Sequence, residues 1–148
     1  MDIRLVPVTA ALRETAESLS VAEYQKDFIE SVPQCMAEAD EISDWEPILI
    51  YRGETPVGFA MYGLMRGEKS HRLWFDRLLI DERYQKLGYG RAAVEAILKR
   101  IQGEFPGRDI YLSAYEDNET AIKLYASFGF KFNGELDSNG EKIMLLKA

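Results

Sequence analysis

The chain has 148 residues, 47% hydrophobic and 29% charged, with 11 Gly, 5 Pro, one Cys, one His and a net charge of −7. That length suits a single domain over residues 1–148 with a core that needs no disulfide or metal staples, and the composition excludes a collagen-like, low-complexity or disordered chain. The lone Cys35 and lone His71 exclude a disulfide framework and a Cys/His zinc site, and nothing around His71 resembles the nucleophile motif of a hydrolase.

Met1-Asp2-Ile3-Arg4-Leu5 lacks the long apolar stretch of a signal peptide and reads as the start of a strand. Residues 2–8 are the first expected strand, and Pro7 suits the end of an edge strand. Residues 10–18 are an expected short helix, and 20–31 fit neither pattern. Ser31 followed by Pro33 predicts a capped helix over 33–41. Residues 47–51 and 56–64 read as a hairpin turning at Arg52-Gly53-Glu54. Gly58 and Gly63 mark bulges or close backbone approach. Residues 72–81 form a further strand. Val94, Ile97, Leu98 and Ile101 recur at helical spacing and predict a helix over 90–102, with Glu95 and Lys99 as an i, i+4 pair. Residues 109–114 are a strand. Asn118 opens a helix that Gly129 closes, with Ala121, Leu124, Tyr125 and Phe128 on its apolar face. Strands at 130–136 and 141–146 complete a mixed sheet flanked by helices.

The charge is unevenly spread. Residues 1–70 hold 13 acidic and 6 basic side chains, whereas residues 71–148 hold 12 of each. Such a surface is a poor partner for nucleic acid and a fitting one for a cation, although surplus acid also serves solubility. No apolar run approaches the ~18 residues of a membrane span, so no membrane partner is expected. A lone thiol suggests a reducing, cytoplasmic setting.

The most informative stretch runs from Leu78 to Arg91. A hydrophobic strand passes through a polar turn into an amphipathic helix by way of Gly88-Tyr89-Gly90. Glycines let successive N–H groups converge at the helix start, where the dipole adds partial positive charge, and Lys86 and Arg91 add more. A pyrophosphate fits such a cradle. Gly-x-Gly-x-x-Ala also occurs in dinucleotide-binding folds, but the hairpin order of the preceding strands departs from that pattern.

Gln85-x-x-Gly88-x-Gly90 resembles the signature of the GNAT superfamily of acyl-CoA-dependent N-acetyltransferases. Asn118-x-x-Ala121-x-x-Leu124-Tyr125-x-x-x-Gly129-Phe130 resembles that family's later helix, and the likeness spans essentially the whole chain. Three further segments, Gly58–Gly63, Asp76–Gln85 and Phe132–Asp137, resemble bacterial spermine/spermidine N-acetyltransferases. The resemblance implies an α/β fold of the α+β type, with a mixed, mostly antiparallel sheet of about seven strands and about four helices. It implies acetyl-CoA as cosubstrate, no metal and a small cationic amine, a polyamine, as acceptor. Dimers are frequent in the family, which leaves a homodimer open.

The same resemblance distributes roles. Backbone N–H groups of Gln85, Lys86, Leu87, Gly88, Tyr89, Gly90 and Arg91 would hold the pyrophosphate. Leu78, Leu79 and Ile80 would pair with the pantetheine arm, and Asn118 and Lys123 would touch the donor from the later helix. Tyr125 would protonate the departing thiolate, although its place on an apolar stripe also fits a core aromatic. Asp76 interrupts an apolar strand and needs a partner. Arg77 should point to the other face, because strand side chains alternate, so a substrate ammonium or a structural salt bridge are both open. Phe75 stands where animal polyamine enzymes carry a second acid, which leaves a dedicated base unassigned. The acidic surplus concentrates at Glu38, Asp40, Glu41, Asp44 and Glu46, a region that borders the acceptor cleft in this fold. Glu41, Asp44, Trp45 and Trp74 are therefore expected around the acceptor, the tryptophans through cation–π contact; a solvated acidic helix face is the alternative. Another amine acceptor, a non-catalytic acyl-CoA-binding module and a nucleotide-binding module are the competing readings.

Overall fold

The computed structural model describes residues 2–148; Met1 lies outside the described residues. Seven strands form one sheet: β1 (Arg4–Pro7), β2 (Glu46–Arg52), β3 (Thr55–Leu64), β4 (Leu73–Ile80), β5 (Ile110–Ala114), β6 (Lys131–Leu136) and β7 (Lys142–Leu146). Their spatial order is β1-β2-β3-β4-β5-β7-β6. Every pairing is antiparallel except β4 with β5. The four α-helices are α1 (Arg13–Glu17), α2 (Val32–Glu41), α3 (Tyr89–Glu104) and α4 (Glu119–Ser127). This is the mixed, mostly antiparallel architecture expected from the sequence.

The helices sit where their apolar stripes direct them. Val94, Ile97, Leu98 and Ile101 of α3 pack with Ile48, Ile50, Tyr62, Leu73 and Phe75 on one face of the sheet, and α4 docks beside them through Ile122, Leu124, Tyr125 and Phe128. On the other face, Ala16 of α1 and Val32, Cys35 and Met36 of α2 cover Leu49, Phe59, Met61 and Leu79. Burial of such side chains, worth roughly 1.5–3 kcal/mol each, drives the layering. The Ser31 cap closes a reciprocal box: Ser31 Oγ accepts from the Gln34 N–H at 3.3 Å, and Gln34 Oε1 accepts from the Ser31 N–H at 2.8 Å.

Two segments differ from expectation. The 10–18 helix divides into a 3-10 turn at Ala10–Leu12 and the short α1. The ambiguous 20–31 segment holds only a 3-10 turn, Glu23–Gln25. It is tied to the end of β4 instead, since Asp81 accepts from the Ser20 N–H at 3.0 Å and Glu82 N–H donates to the Ser20 carbonyl at 2.9 Å. Among the described residues, no helix is long and apolar enough to cross a membrane.

Candidate active site

The site begins with a gap in the sheet. β4 and β5 pair only at Leu73 with Ile110 and Trp74 with Tyr111. Beyond Trp74 the two strands separate, and the edge of β4 from Asp76 to Ile80 faces a cleft of about 570 Å³. The starts of α3 and α4 line it, and residues 21–30 run along it, from Gln25 beside Gln85 to Glu30 beside Arg77.

At the α3 end the backbone does the shaping. Lys86 and Gly88 both adopt positive φ, 63° and 87°, and Gly88 is the N-cap of α3. These two positive-φ residues curl the loop tightly onto the start of a 16-residue helix, the positive end of its dipole. The left-handed position is nearly free for Gly88 but strained for Lys86. Gln85 pins the loop from beneath: its amide donates to the Ile80 carbonyl at 2.8 Å and to Gln25 Oε1 at 2.7 Å. Asn118 holds the N-cap position of α4, yet its side chain makes no capping bond and lines the cleft instead. The expected cap is therefore present in place but not in bonding.

At the other end the chemistry is carboxylate. The pairing of β3 with β4 passes from Met61–Arg77 to Tyr62–Phe75, so Asp76 is an unpaired bulge residue. A bulge breaks strand alternation, and this corrects the expectation that Arg77 points away from Asp76. Arg77 lies on the α2 face with Asp76 and bonds it at 2.8 Å. The same guanidinium reaches Glu38 at 3.2 Å and Glu30 at 3.1 Å; the Glu30 contact is off the N–H direction and is ionic rather than hydrogen-bonded. Burial opposes the Arg77 charge, but Asp76, Glu30 and Glu38 outweigh it and raise its pKa. Three carboxylates around one cation leave two negative charges over.

Burial pushes the Asp76 carboxyl above its usual range, against the pull of Arg77. Ser113 on β5 stands 3.3 Å from Asp76 Oδ1 and donates to Glu141 Oε2 at 2.7 Å. Glu141, just before β7, is 6% exposed. Burial first and the neighbouring Asp137 carboxylate second raise its pKa to about 7. Tyr125 enters from the opposite face, stacked edge-on against Phe75 and Phe130 at 6.0 Å each. Apolar burial, then the Asp76 charge, raise the phenol above its usual pKa, so it stays protonated at neutral pH.

The cleft gathers Asp76, Leu78, Leu79, Ile80, Gln85, Lys86, Gly88, Tyr89, Gly90, Asn118 and Tyr125 from the sequence-predicted set. Leu87 is exposed on the loop beside it, Arg91 lies over the Phe128 ring at 5.4 Å, and Lys123 is exposed on α4. The four residues expected around the acceptor lie off the cleft lining. Trp74 stacks on Tyr111 at 5.6 Å, where β4 and β5 are still joined. Asp44 accepts from the Arg66 N–H at 3.1 Å near the far end of β3, Trp45 packs against the α2-side core, and Glu41 is exposed at the end of α2. Sequence reading missed Glu30, Ser113 and Glu141. Ser113 carried a signal, as the one small polar side chain in Ile-Tyr-Leu-Ser-Ala, and Glu30 lay in the segment without periodicity.

The sequence profile of the acetyltransferase (GNAT) family matches residues 15–130. A spermine/spermidine N(1)-acetyltransferase from Bacillus subtilis is 42% identical over 149 aligned positions, covering 98% of each chain. Among solved structures, an aminoglycoside acetyltransferase in complex with coenzyme A superposes with a TM-score of 0.79 at 15% identity, over 99% of this chain and 95% of that one. A spermidine N-acetyltransferase from Vibrio cholerae in complex with CoA and spermine gives 0.71 at 14% identity, over 97% and 92%.

Proposed function

The chain belongs to the acetyltransferase (GNAT) family and is an N-acetyltransferase, and from that premise we propose that it moves the acetyl group of acetyl-CoA to a primary amine of a polyamine, spermine or spermidine, by direct attack in a ternary complex. The observation that carries this reading is a cleft with an N–H cradle at one end and surplus carboxylate at the other. The Bacillus subtilis relative, matched from end to end, carries the same acceptor in its name.

The residues fit the donor. The loop from Gln85 to Arg91 offers N–H groups to a pyrophosphate, with Lys86 and Arg91 nearby; Asn118 holds the N-cap position of α4 and Lys123 lies exposed midway along it. Asp117 and Glu119 make the start of α4 acidic, so the anion belongs at α3. The open edge of β4 at Leu78–Ile80 accepts an extended amide-bearing arm as an added strand. The bound thioester supplies the acyl group, and a β4 N–H serves as the donor that polarises its carbonyl. No metal is needed for that step.

The remaining groups serve the acceptor and the leaving group. Asp76, with Glu30 behind it, attracts and orients an ammonium; a carboxylate near ~4 Å is worth about 4 kcal/mol to such a charge at an effective dielectric constant of 20. Tyr125 holds a proton at neutral pH and gives it to the departing thiolate sulfur. Asp76→Asn tests the acceptor side: the Michaelis constant for spermine is expected to rise about tenfold, while that for acetyl-CoA stays within twofold. A change confined to acetyl-CoA contradicts this role.

A further inference from the structure

We propose that Glu141 is the terminal acceptor of the proton that the amine must lose before attack, reached from Asp76 through the Ser113 hydroxyl. The proposal rests on the polyamine N-acetyltransferase reading above and adds the base that the sequence left unassigned.

The geometry is a chain of three groups on the α2 face of the cleft. Ser113 Oγ lies 2.7 Å from Glu141 Oε2 and 3.3 Å from Asp76 Oδ1. A hydroxyl gives its one proton to one carboxylate and accepts from another through its lone pairs, so it conducts where a methyl would not. Ser113 sits between the buried Leu112 and Ala114 in a five-residue strand. Directly across from it in β7 is Ile143, which puts Glu141, two residues earlier, on the same face.

The charge balance also points to a bound cation. Glu141 is buried, and among the described residues it makes no ion pair. The groups that face it are all acidic or neutral apart from one. They are Asp137 from the β6–β7 turn, Asp76 from β4, Glu30 from the segment before α2 and Tyr115 after β5, with Arg77 as the single cation. Arg77 is already shared among Glu30, Glu38 and Asp76. Lys142, next in sequence, turns away to Glu116 at 3.1 Å. A buried carboxylate without a cation is costly, and an ammonium entering the cleft relieves that cost.

The step balances. The ammonium gives one N–H proton to Asp76 Oδ1. Asp76 passes it to Ser113 Oγ as the hydroxyl's own proton moves to Glu141 Oε2. The amine is left neutral with a free lone pair, Asp76 is again a carboxylate, Ser113 a hydroxyl and Glu141 a carboxylic acid. One positive and one negative charge disappear together, so the buried site gains no net charge. Glu141 returns the proton to water between turnovers. Burial and the Asp137 carboxylate hold its pKa above the usual carboxylate range, which makes it a stronger proton acceptor than an exposed carboxylate.

The test is the pH profile of turnover with spermine for wild type, Glu141→Gln, Ser113→Ala and Ser113→Thr. Glu141→Gln and Ser113→Ala are expected to lower kcat at least about tenfold at pH 7, with the Michaelis constant for acetyl-CoA unchanged. The deficit is expected to narrow toward pH 9, where neutral amine arrives from solution. Ser113→Thr, which keeps the hydroxyl, is expected to regain most of the rate. A role confined to folding moves none of these pH-dependent readouts. Should Glu141→Gln fail to fold, Ser113→Ala decides alone, since it removes one oxygen and leaves both carboxylates. Wild-type rates in both variants, or a deficit constant from pH 7 to 9, overturn the relay while the polyamine reading stands. A wild-type enzyme with no turnover on any polyamine overturns both.

Discussion

The two ends of the cleft are built from different materials. The α3 end is made of backbone: positive φ at Lys86 and Gly88, a helix N-terminus and an open strand edge. The α2 end is made of side chains from distant parts of the chain: Glu30, Asp76, Arg77, Ser113 and Glu141. A backbone site needs glycines at fixed spacing and tolerates change between them. A side-chain site needs each group held by its neighbours, so one substitution propagates. The α3 end therefore leaves a local signature, and the α2 end leaves almost none.

That contrast can be broken at several points. The largest effect is expected at Arg77, the one cation among three carboxylates. Arg77→Met should destabilise the fold by about 3–5 kcal/mol at pH 7, because it strands Asp76, Glu30 and Glu38 together. Urea titration checks this, and a loss below ~1 kcal/mol would mean that the network is wet and weakly coupled. Next is Tyr125→Phe, expected to reduce turnover about 100-fold while CoA affinity stays within twofold. Full activity in that variant would return Tyr125 to the role of a core aromatic against Phe75 and Phe130. Gly88→Ala comes third. The left-handed backbone there costs an alanine about 1–2 kcal/mol, so the free loop relaxes away from that conformation, and CoA binding, which restores it, should weaken roughly tenfold by calorimetry with the spermine Michaelis constant unmoved. The smallest effect is expected from Glu41→Gln, off the cleft and exposed on α2. Polyamine kinetics within about twofold of wild type would place acceptor recognition in the cleft, and a larger change would extend it along α2.

The fold was legible because its signals are periodic. The stripe Val94–Ile101 specified α3, the Ser31 cap before Pro33 specified α2, and the turn at Arg52-Gly53-Glu54 specified the β2–β3 hairpin. The phosphate-type loop was legible because Gly88 must sit where φ is positive. Asp76 was legible as an anomaly, a carboxylate inside an apolar strand. Its partner was not, because the bulge that brings Arg77 to its side depends on register with β3 and has no mark in the sequence. The acidic surplus of the first 70 residues drew attention to Glu41, Asp44 and Trp45, which the fold carries away from the cleft. Net charge locates a tendency and not a site. Glu30 and Glu141 are about 110 positions apart in the chain, and only the separation of β4 from β5 brings them to one cavity.

The most direct measurement is thiol release from acetyl-CoA across an amine panel of spermine, spermidine, putrescine, an aminoglycoside and a peptide with a free N-terminus. Selective turnover of spermine and spermidine is the predicted result, and it would tie the carboxylate end of the cleft to substrate charge. Turnover confined to the peptide or the aminoglycoside, with the polyamines inert, would contradict the account.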